Sequence, residues 1–365
     1  DDKPKRVSIP KNVSNEEIIR AARKNLSQGA WDYLMGGSES ETTMRRNRLA
    51  FDRLAFRPRV LVDVSKIDTS NTLLGHNSKM PVILAPIGSQ ETFTEMGAAA
   101  ATLAANEFGI IDVISSVSSP SLEEISTTAN NPKVFQLYIH GDWNWITSMI
   151  NRVKEADYKA LCITVDTAHY SRRERPMMTR FFPHSRRTPP DPKFAASVTW
   201  ETIDKITEYA DMPLLLKGIA TGEDAKLAVE HGAKVVWVSN HGGRQLDYGQ
   251  GSMEMLPEIV DAIEGKAEIV LDGGIQRGSD IAKAVSLGAN SVAIGKMQCL
   301  GLAADGKDGL IRVLEILEEE LTIAMALLGV TNIDQLSPNY ICRSEATTES
   351  HEMSSWVNIP ENRIK

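Results

Sequence analysis

From Pro81 onward, eight short apolar runs alternate with segments of helical period. The runs are Val82 to Ala85, Ile110 to Ser115, Val134 to Tyr138, Ala160 to Val165, Leu214 to Lys217, Val235 to Ser239, Glu268 to Asp272 and Ser291 to Ile294. Each is short for a helix and near-continuously apolar, as a strand is when both of its faces are covered. Intervening stretches such as Glu223 to His231 and Ser279 to Leu287 read as helices. Eight strands in alternation with helices predict an α/β chain folded as a (β/α)8 TIM barrel rather than an open sheet. The chain, 365 residues and 42% hydrophobic, is long enough for such a barrel of ~250 residues plus extensions. The expected division is a helical segment and barrel lead-in at 1–80, the barrel at 81–341 and a polar C-terminal tail at 342–365.

An internal repeat agrees with this. Residues 224–238 (DAKLAVEHGAKVVWV) lie over 280–294 (DIAKAVSLGANSVAI), each a helix, a Gly-Ala stop and a strand. A barrel uses one such unit repeatedly, although two ordinary helix–strand units can resemble each other by chance.

Before the barrel, residues 1–13 are polar and are expected to run over the surface. Ser14 to Glu17 has the capping-box form and predicts a helix through Ile18, Ala22 and Leu26. Tyr33, next to Gly36-Gly37, could offer a hydroxyl to a ligand or be an ordinary buried tyrosine. The connection between Val165 and Leu214 is too long for a simple turn and is rich in proline and basic residues. Such a loop is usually functional or mobile, and after the fourth strand it falls on the face where barrel active sites lie. Residues 342–365 are expected to wrap the surface or meet a partner.

Several classes of function are excluded. The net charge of −8 gives no basic footprint for nucleic acid. No apolar run reaches the ~18 residues of a membrane span. Cys162, Cys299 and Cys342 lie far apart, with neither a disulfide framework nor metal spacing, so a reducing, cytoplasmic compartment is the expectation. The start at Asp1 leaves export after removal of a leader open.

The eight strand ends should converge on one site. They carry Pro86, Ile87 and Gly88; Ser115; Gln136 and Tyr138; Thr164 and Asp166; Lys217; Ser239, His241 and Arg244; Asp272 to Gly274; and Gly295 with Lys296. A solvated strand-end lysine or aspartate is ordinary, but polar or glycine chemistry at all eight ends is not. Glycine-rich turns after the seventh and eighth strands are a common phosphate site in barrels. Gln136, Thr164 and Ser115 suit the edge of a polar heteroaromatic ring. Lys217 could set a positive charge against a ring that becomes anionic on reduction. His241 can act as a base with Asp166 stabilising its imidazolium. Arg244, Arg173 and Tyr33 can hold a carboxylate, and Tyr138 a hydroxyl. This set describes oxidation of a 2-hydroxy acid by a flavin.

Serine 239 to Asp247, SNHGGRQLD, with Asp32-Tyr33, Gly37-Ser38-Glu39, Ala85-Pro86, Phe135 to Tyr138, Thr164 to Thr167, Arg172-Arg173-Glu174, Leu216-Lys217-Gly218 and Asp272-Gly273-Gly274, resembles the FMN-dependent 2-hydroxy-acid oxidase and dehydrogenase family across roughly residues 14–341. The resemblance implies FMN at the barrel mouth and a homotetramer. It implies His241 as base, Asp166 as its partner, and Arg173 and Arg244 with Tyr33 at the carboxylate. Tyr138 would lie near the substrate hydroxyl and Lys217 at the flavin pyrimidine. Pro86, Ile87, Gly88, Ser115, Gln136, Thr164 and Ser239 would lie about the flavin. Asp272, Gly274, Gln276, Arg277, Gly295 and Lys296 would lie about the ribityl phosphate. The electron acceptor would be oxygen, a quinone or another carrier.

This chain departs from the family pattern at Gln276 and Lys296, where arginines are usual, so Arg277 could substitute at the phosphate. Gly88 and Val117 replace bulkier residues, which predicts a roomy pocket for a bulky or aromatic substrate unless Tyr170, Met35 or the long loop refills it. Two other readings stay open: the same flavin site acting on a peptide or natural-product intermediate, and a non-catalytic flavin-binding or assembly protein.

Overall fold

A computed structural model describes residues 11–356. Eight parallel strands close into a barrel: β1 (Val82–Leu84), β2 (Asp112–Ser115), β3 (Lys133–Leu137), β4 (Ala160–Thr164), β5 (Leu214–Ile219), β6 (Val235–Val238), β7 (Glu268–Asp272) and β8 (Ser291–Ile294). Each strand pairs with the next, and β8 returns to β1 through Val292 opposite Val82. All eight expected strands are present, so the (β/α)8 reading holds. Six of the eight differ at an end by one or two residues; the second strand, for example, begins at Asp112 and not at Ile110.

Two apolar layers hold the barrel. Ile83, Val113, Cys162, Leu215, Trp237, Val270 and Ala293 fill its interior. Their strand neighbours, such as Leu84, Ile114, Leu161, Leu216 and Val236, pack outward on the helices. Successive side chains of a strand point to opposite faces, and here both faces are covered, which explains the near-continuous apolar runs. Helices Gly222–Glu230 and Gly278–Ser286, the two halves of the repeat, stand directly before β6 and β8.

Three helices precede the barrel: α1 (Asn15–Asn25), α2 (Gln28–Met35) and α3 (Thr42–Asp52). Ser14 caps α1, accepting a hydrogen bond from the Glu17 amide. α3 is tied to the barrel mouth by Arg48, whose guanidinium forms a buried pair with both oxygens of Asp280 at 2.8 Å and donates to the Gly274 carbonyl at 2.7 Å. Removing one member of a buried pair strands the other charge. Arg48→Met is therefore expected to lower unfolding stability by about 3–5 kcal/mol, read as a shift in urea midpoint; an unchanged midpoint would contradict the pairing.

The connection after β4 carries two short helices, Glu174–Met178 and Pro192–Ala196, before the barrel helix Trp200–Ala210. It lies over the strand C-terminal ends, as expected of a lid. The tail does not simply wrap the surface. Ile341–Arg343 pairs antiparallel with Leu54–Phe56. Ser350 and Ser354 then donate to Asp52, Gln276 donates to the Glu352 carbonyl at 2.6 Å, and Trp356 is buried beside Arg277. Residues 1–10, to which most of the polar N-terminal reading applied, and 357–365 lie outside the described residues. Among the described residues no helix is long and apolar enough to cross a membrane, and no group of three or more His, Cys, Asp or Glu could hold a metal ion.

Candidate active site

A cavity of about 520 Å³ opens at the C-terminal face of the barrel. Its lining includes Pro86 to Gly88, Tyr138, Lys217, His241, Arg244, Asp272 to Gln276, Gly295 and Lys296, with Tyr33 and Arg173 from α2 and the lid. The predicted site residues thus largely converge on one cavity.

At the cavity floor, His241 and Asp166 form a pair, with Nδ1 2.9 Å from Oδ1. Asp166 can come this close because Gly218, after Lys217 on β5, has no side chain: a Cβ there would lie 2.8 Å from the aspartate's own Cβ. The second Asp166 oxygen is buried without a partner. His241 itself sits at φ +60°, a conformation rarely populated by non-glycine residues. Its amide donates to Ser239 Oγ at 2.9 Å, whose hydroxyl donates to Asp272 at 2.6 Å. Burial lowers the His241 pKa below the ordinary histidine value, Asp166 opposes this, and Lys217 and Arg173 add to it. Asp166 is held low despite burial, first by His241 and then by Lys217. With Nδ1 committed to Asp166, the neutral ring can present a lone pair at Nε2.

The glycines of the SNHGGRQLD stretch serve partly for close packing. A Cβ on Gly243, at φ +74°, would lie 2.5 Å from the backbone of Met44 in α3. Gly242, at φ +65°, lines the cavity, and a Cβ there would meet Arg244 Cδ at 3.8 Å. The remaining residues stitch elements together. Asp247 accepts the Ser40 and Thr43 amides, Asn240 exchanges hydrogen bonds with Asn47, and Gln245 donates to the Asp166 and His169 carbonyls. In the sequence these residues are quoted only as part of the motif, without a role; their partners Ser40, Thr43 and Asn47 lie about 200 residues away, so no local pattern marks the contacts.

Two guanidiniums line the same cavity as His241. Arg244 lies 5.1 Å from the Tyr33 ring and donates from Nη1 to the Leu34 and Gly36 carbonyls. Arg173 donates from Nε to the Arg244 carbonyl at 3.0 Å and from Nη2 to Gln245 at 3.2 Å. Burial, then Arg173, lowers the Arg244 pKa. Neither has a carboxylate partner among the described residues, so two like charges share the cavity without an acidic counter-charge. The Tyr33 hydroxyl is pushed up by burial, and that of Tyr138 to about 12, so both are protonated donors at neutral pH.

Lys217 is buried 3.5 Å from Asp272 and from Ser239. Burial alone would lower its pKa, but Asp272 and Asp166 outweigh it and keep the ammonium charged. Gln136 donates to Thr164 at 2.9 Å, while its amide oxygen is buried without a partner. Ser115, Gln136, Thr164 and Ser239 are buried in the wall behind the cavity lining. The orphaned Gln136 oxygen and the fixed Lys217 charge fit the hydrogen-bonding edge of a flavin ring.

At the other end, the helix Lys296–Leu328, interrupted at Asp305 and Gly306, begins after Gly295 without a side-chain cap. Its free first-turn amides and Lys296 suit a phosphate. Lys296 donates to the Met35 carbonyl at 3.0 Å; burial, then Arg244, lowers its pKa to about 7. Arg277 is not brought to this end. It pairs with Glu320 at 2.7 Å, donates to the Ser355 carbonyl and lies over Trp356. Its expected phosphate role is therefore replaced by anchoring of the tail, because Glu320 and Trp356 offer a charge partner and a ring on the outer side. Gln276 lines the cavity but is engaged by the Glu352 carbonyl. The Glu352 carboxylate, which pairs with Arg175 at 2.7 Å, also lies near enough to Lys296 to act on it. No sequence signal marked Glu352.

Gly88 does not widen the pocket by itself. A Cβ there would lie 2.9 Å from Val117 Cγ2, so the valine occupies the space the glycine leaves.

The FMN-dependent dehydrogenase family matches residues 22–343. The chain is 38% identical to the L-lactate oxidase of a Nostoc species over 362 residues, covering 92% of this chain and 99% of that protein. It is 37% identical to glycolate oxidase 3 of Arabidopsis thaliana, covering 89% of this chain and 94% of the relative. A solved mandelate oxidase structure superposes with a TM-score of 0.86 at 36% identity, covering 92% of this chain and all of that one. Family match, barrel and convergent strand ends agree: the chain belongs to the FMN-dependent dehydrogenase family, that of the flavin-dependent 2-hydroxy-acid oxidases.

Proposed function

We propose that His241 is the base in oxidation of an (S)-2-hydroxy acid to the 2-oxo acid. Arg173 and Arg244 hold the substrate carboxylate, Tyr33 assists them, and Tyr138 donates to the substrate's oxygen at the reacting carbon. The observation that carries this reading is the neutral His241 ring, held by Asp166, in one cavity with two guanidiniums that have no carboxylate partner among the described residues. The base takes up a proton as alcohol becomes ketone, and Asp166 stabilises the resulting imidazolium. Clamping the carboxylate fixes the reacting carbon against Nε2 and removes most of the orientational freedom of the encounter.

FMN supplies the acceptor for the electrons. Lys217, with Gln136 and Thr164, would hold the polar edge of its ring, and the amides after Gly295 with Lys296 would hold its phosphate. Oxygen as final acceptor is favoured by the oxidase names of the relatives. For the substrate side chain we favour a bulky group near Val117 and Phe93; among the structures similar to this chain is a mandelate oxidase with (S)-4-hydroxymandelic acid (TM-score 0.85, 34% identity).

The phosphate end yields a test independent of turnover. Glu352 is a carboxylate beside the place assigned to a phosphate carrying up to two negative charges. Glu352→Gln is expected to bind FMN roughly three- to tenfold more tightly at low salt, with the gain shrinking as salt rises. Titration of apoprotein by flavin fluorescence reads this, and weaker binding in the variant would place the phosphate elsewhere. The reaction itself is tested by anaerobic mixing of the holoprotein with (S)- and (R)-2-hydroxy acids. Reduction by the (S) form alone is expected.

A further inference from the structure

The lid places a third guanidinium at the cavity mouth that the oxidation itself does not use. Arg186 lies in a short 3-10 turn, His184–Arg186, and lines the cavity. The turn is pinned to the β1 loop: Ser185 and Ser89 hydroxyls are 2.7 Å apart, and the Ser185 amide donates to Ser89 Oγ at 2.9 Å. The Ser185 hydroxyl stands 3.9 Å from where a Cβ of Gly88 would be. Arg186 is thus held on the side of the cavity toward Val117, where the substrate's side chain is placed above.

Its guanidinium lies 3.7 Å from the centre of the Tyr170 ring, and that of Arg173 lies 4.6 Å from the same ring. One aromatic ring therefore carries both cations, within about 8 Å of one another. Arg186 has no carboxylate or carbonyl partner for its side chain among the described residues. Asp191, the acidic residue of the lid that also lines the cavity, is committed to Lys193 at 3.1 Å and to the Lys193 amide. His140, stacked on Tyr138, feels Arg186 as a neighbouring positive charge, and burial keeps it neutral. An unpaired cation fixed at a half-buried mouth, one ring away from the carboxylate clamp, is a receptor for a second anion on the same molecule.

We propose that Arg186 is a specificity residue and that the preferred substrates are 2-hydroxy acids whose side chain ends in a carboxylate. The α-carboxylate lies on Arg173 and Arg244, and the distal carboxylate lies on Arg186 over Tyr170. This inference rests on the hydroxy-acid reading above but concerns only the far end of the substrate.

The test compares matched pairs on the holoenzyme: (S)-2-hydroxyglutarate against (S)-2-hydroxypentanoate, and 4-carboxymandelate against mandelate. The wild type should favour the diacid of each pair by about ten- to a hundredfold in kcat/KM, the scale of a charge-assisted hydrogen bond. Arg186→Gln should remove that preference chiefly through the KM of the diacid, Arg186→Lys should restore part of it, and raised salt should reduce it in the wild type. A wild type that favours the monoacids, or an Arg186→Gln variant that retains the preference or loses both substrates equally, overturns the proposal. Glutarate against pentanoate, read from the perturbation of the holoenzyme's flavin absorbance, decides the same point without turnover. Tighter glutarate binding that depends on Arg186 supports it even if no hydroxy acid reduces the flavin, a result that would refute the reaction and not the anion site; equal binding of the two ligands overturns it.

Discussion

Replacing His241 with asparagine is expected to slow flavin reduction by about 10⁴-fold while FMN remains bound. Asparagine is the informative substitution because it tolerates the left-handed backbone found at this position, so loss of rate is separated from loss of the turn. The cofactor should stay because the contacts assigned to it are made by other strand ends. The pH profile of the wild type follows from the direction of the His241 shift. The base works only when neutral, and burial holds its pKa below the ordinary 6.5. The rate should therefore be flat around neutral pH and fall as pH drops through that lowered value. Asp166→Asn removes the one neighbour that raises this pKa, so the acid limb should move to still lower pH. The plateau should fall as well, because the imidazolium formed in the reaction loses its counter-charge. Rapid-reaction absorbance of holoprotein across pH reads both effects, and a plateau unchanged in His241→Asn would remove this residue from the chemistry.

The carboxylate clamp should give the second large effect. Arg244 spends Nη1 on two backbone carbonyls, and Arg173 spends Nε and Nη2 within the protein. Each retains N–H groups for a ligand. Truncating either to methionine leaves a buried substrate carboxylate short of a charged partner, a loss of about 2–5 kcal/mol, or tens- to thousands-fold in kcat/KM. The two losses should not add, since both arginines grip one group. Lysine at either position should recover only part of the activity, because an ammonium cannot reproduce the planar fork. Steady-state kinetics of the single and double variants test this, and full additivity would mean that the two arginines act on separate groups.

How much of this was legible in the sequence depends on the range of the interaction. The barrel was, because strands covered on both faces leave continuous apolar runs that need no knowledge of their partners. The convergence of Lys217, His241, Arg244 and Gly295 followed, since a parallel barrel brings all strand C-termini to one face. Interactions between distant elements did not follow. Nothing near Arg277 indicates that it pairs with Glu320 on the final helix rather than turning inward. Nothing next to Gly243 indicates that it lets Met44 of α3 approach. The tail has no period because it is held residue by residue, through Asp52, Gln276 and Arg277, instead of by an apolar face. Gly88 suggested empty space only because the position of Val117 was unknown.

The most direct measurement is anaerobic titration of the yellow holoprotein with an (S)-2-hydroxy acid, run beside His241→Asn. The expected result is stoichiometric bleaching of the flavin in the wild type, with the 2-oxo acid as product, and a variant that stays yellow on the same timescale. A wild type that no 2-hydroxy acid bleaches, or a variant that bleaches as fast, would contradict the assignment of this cavity as a hydroxy-acid oxidation site with His241 as its base.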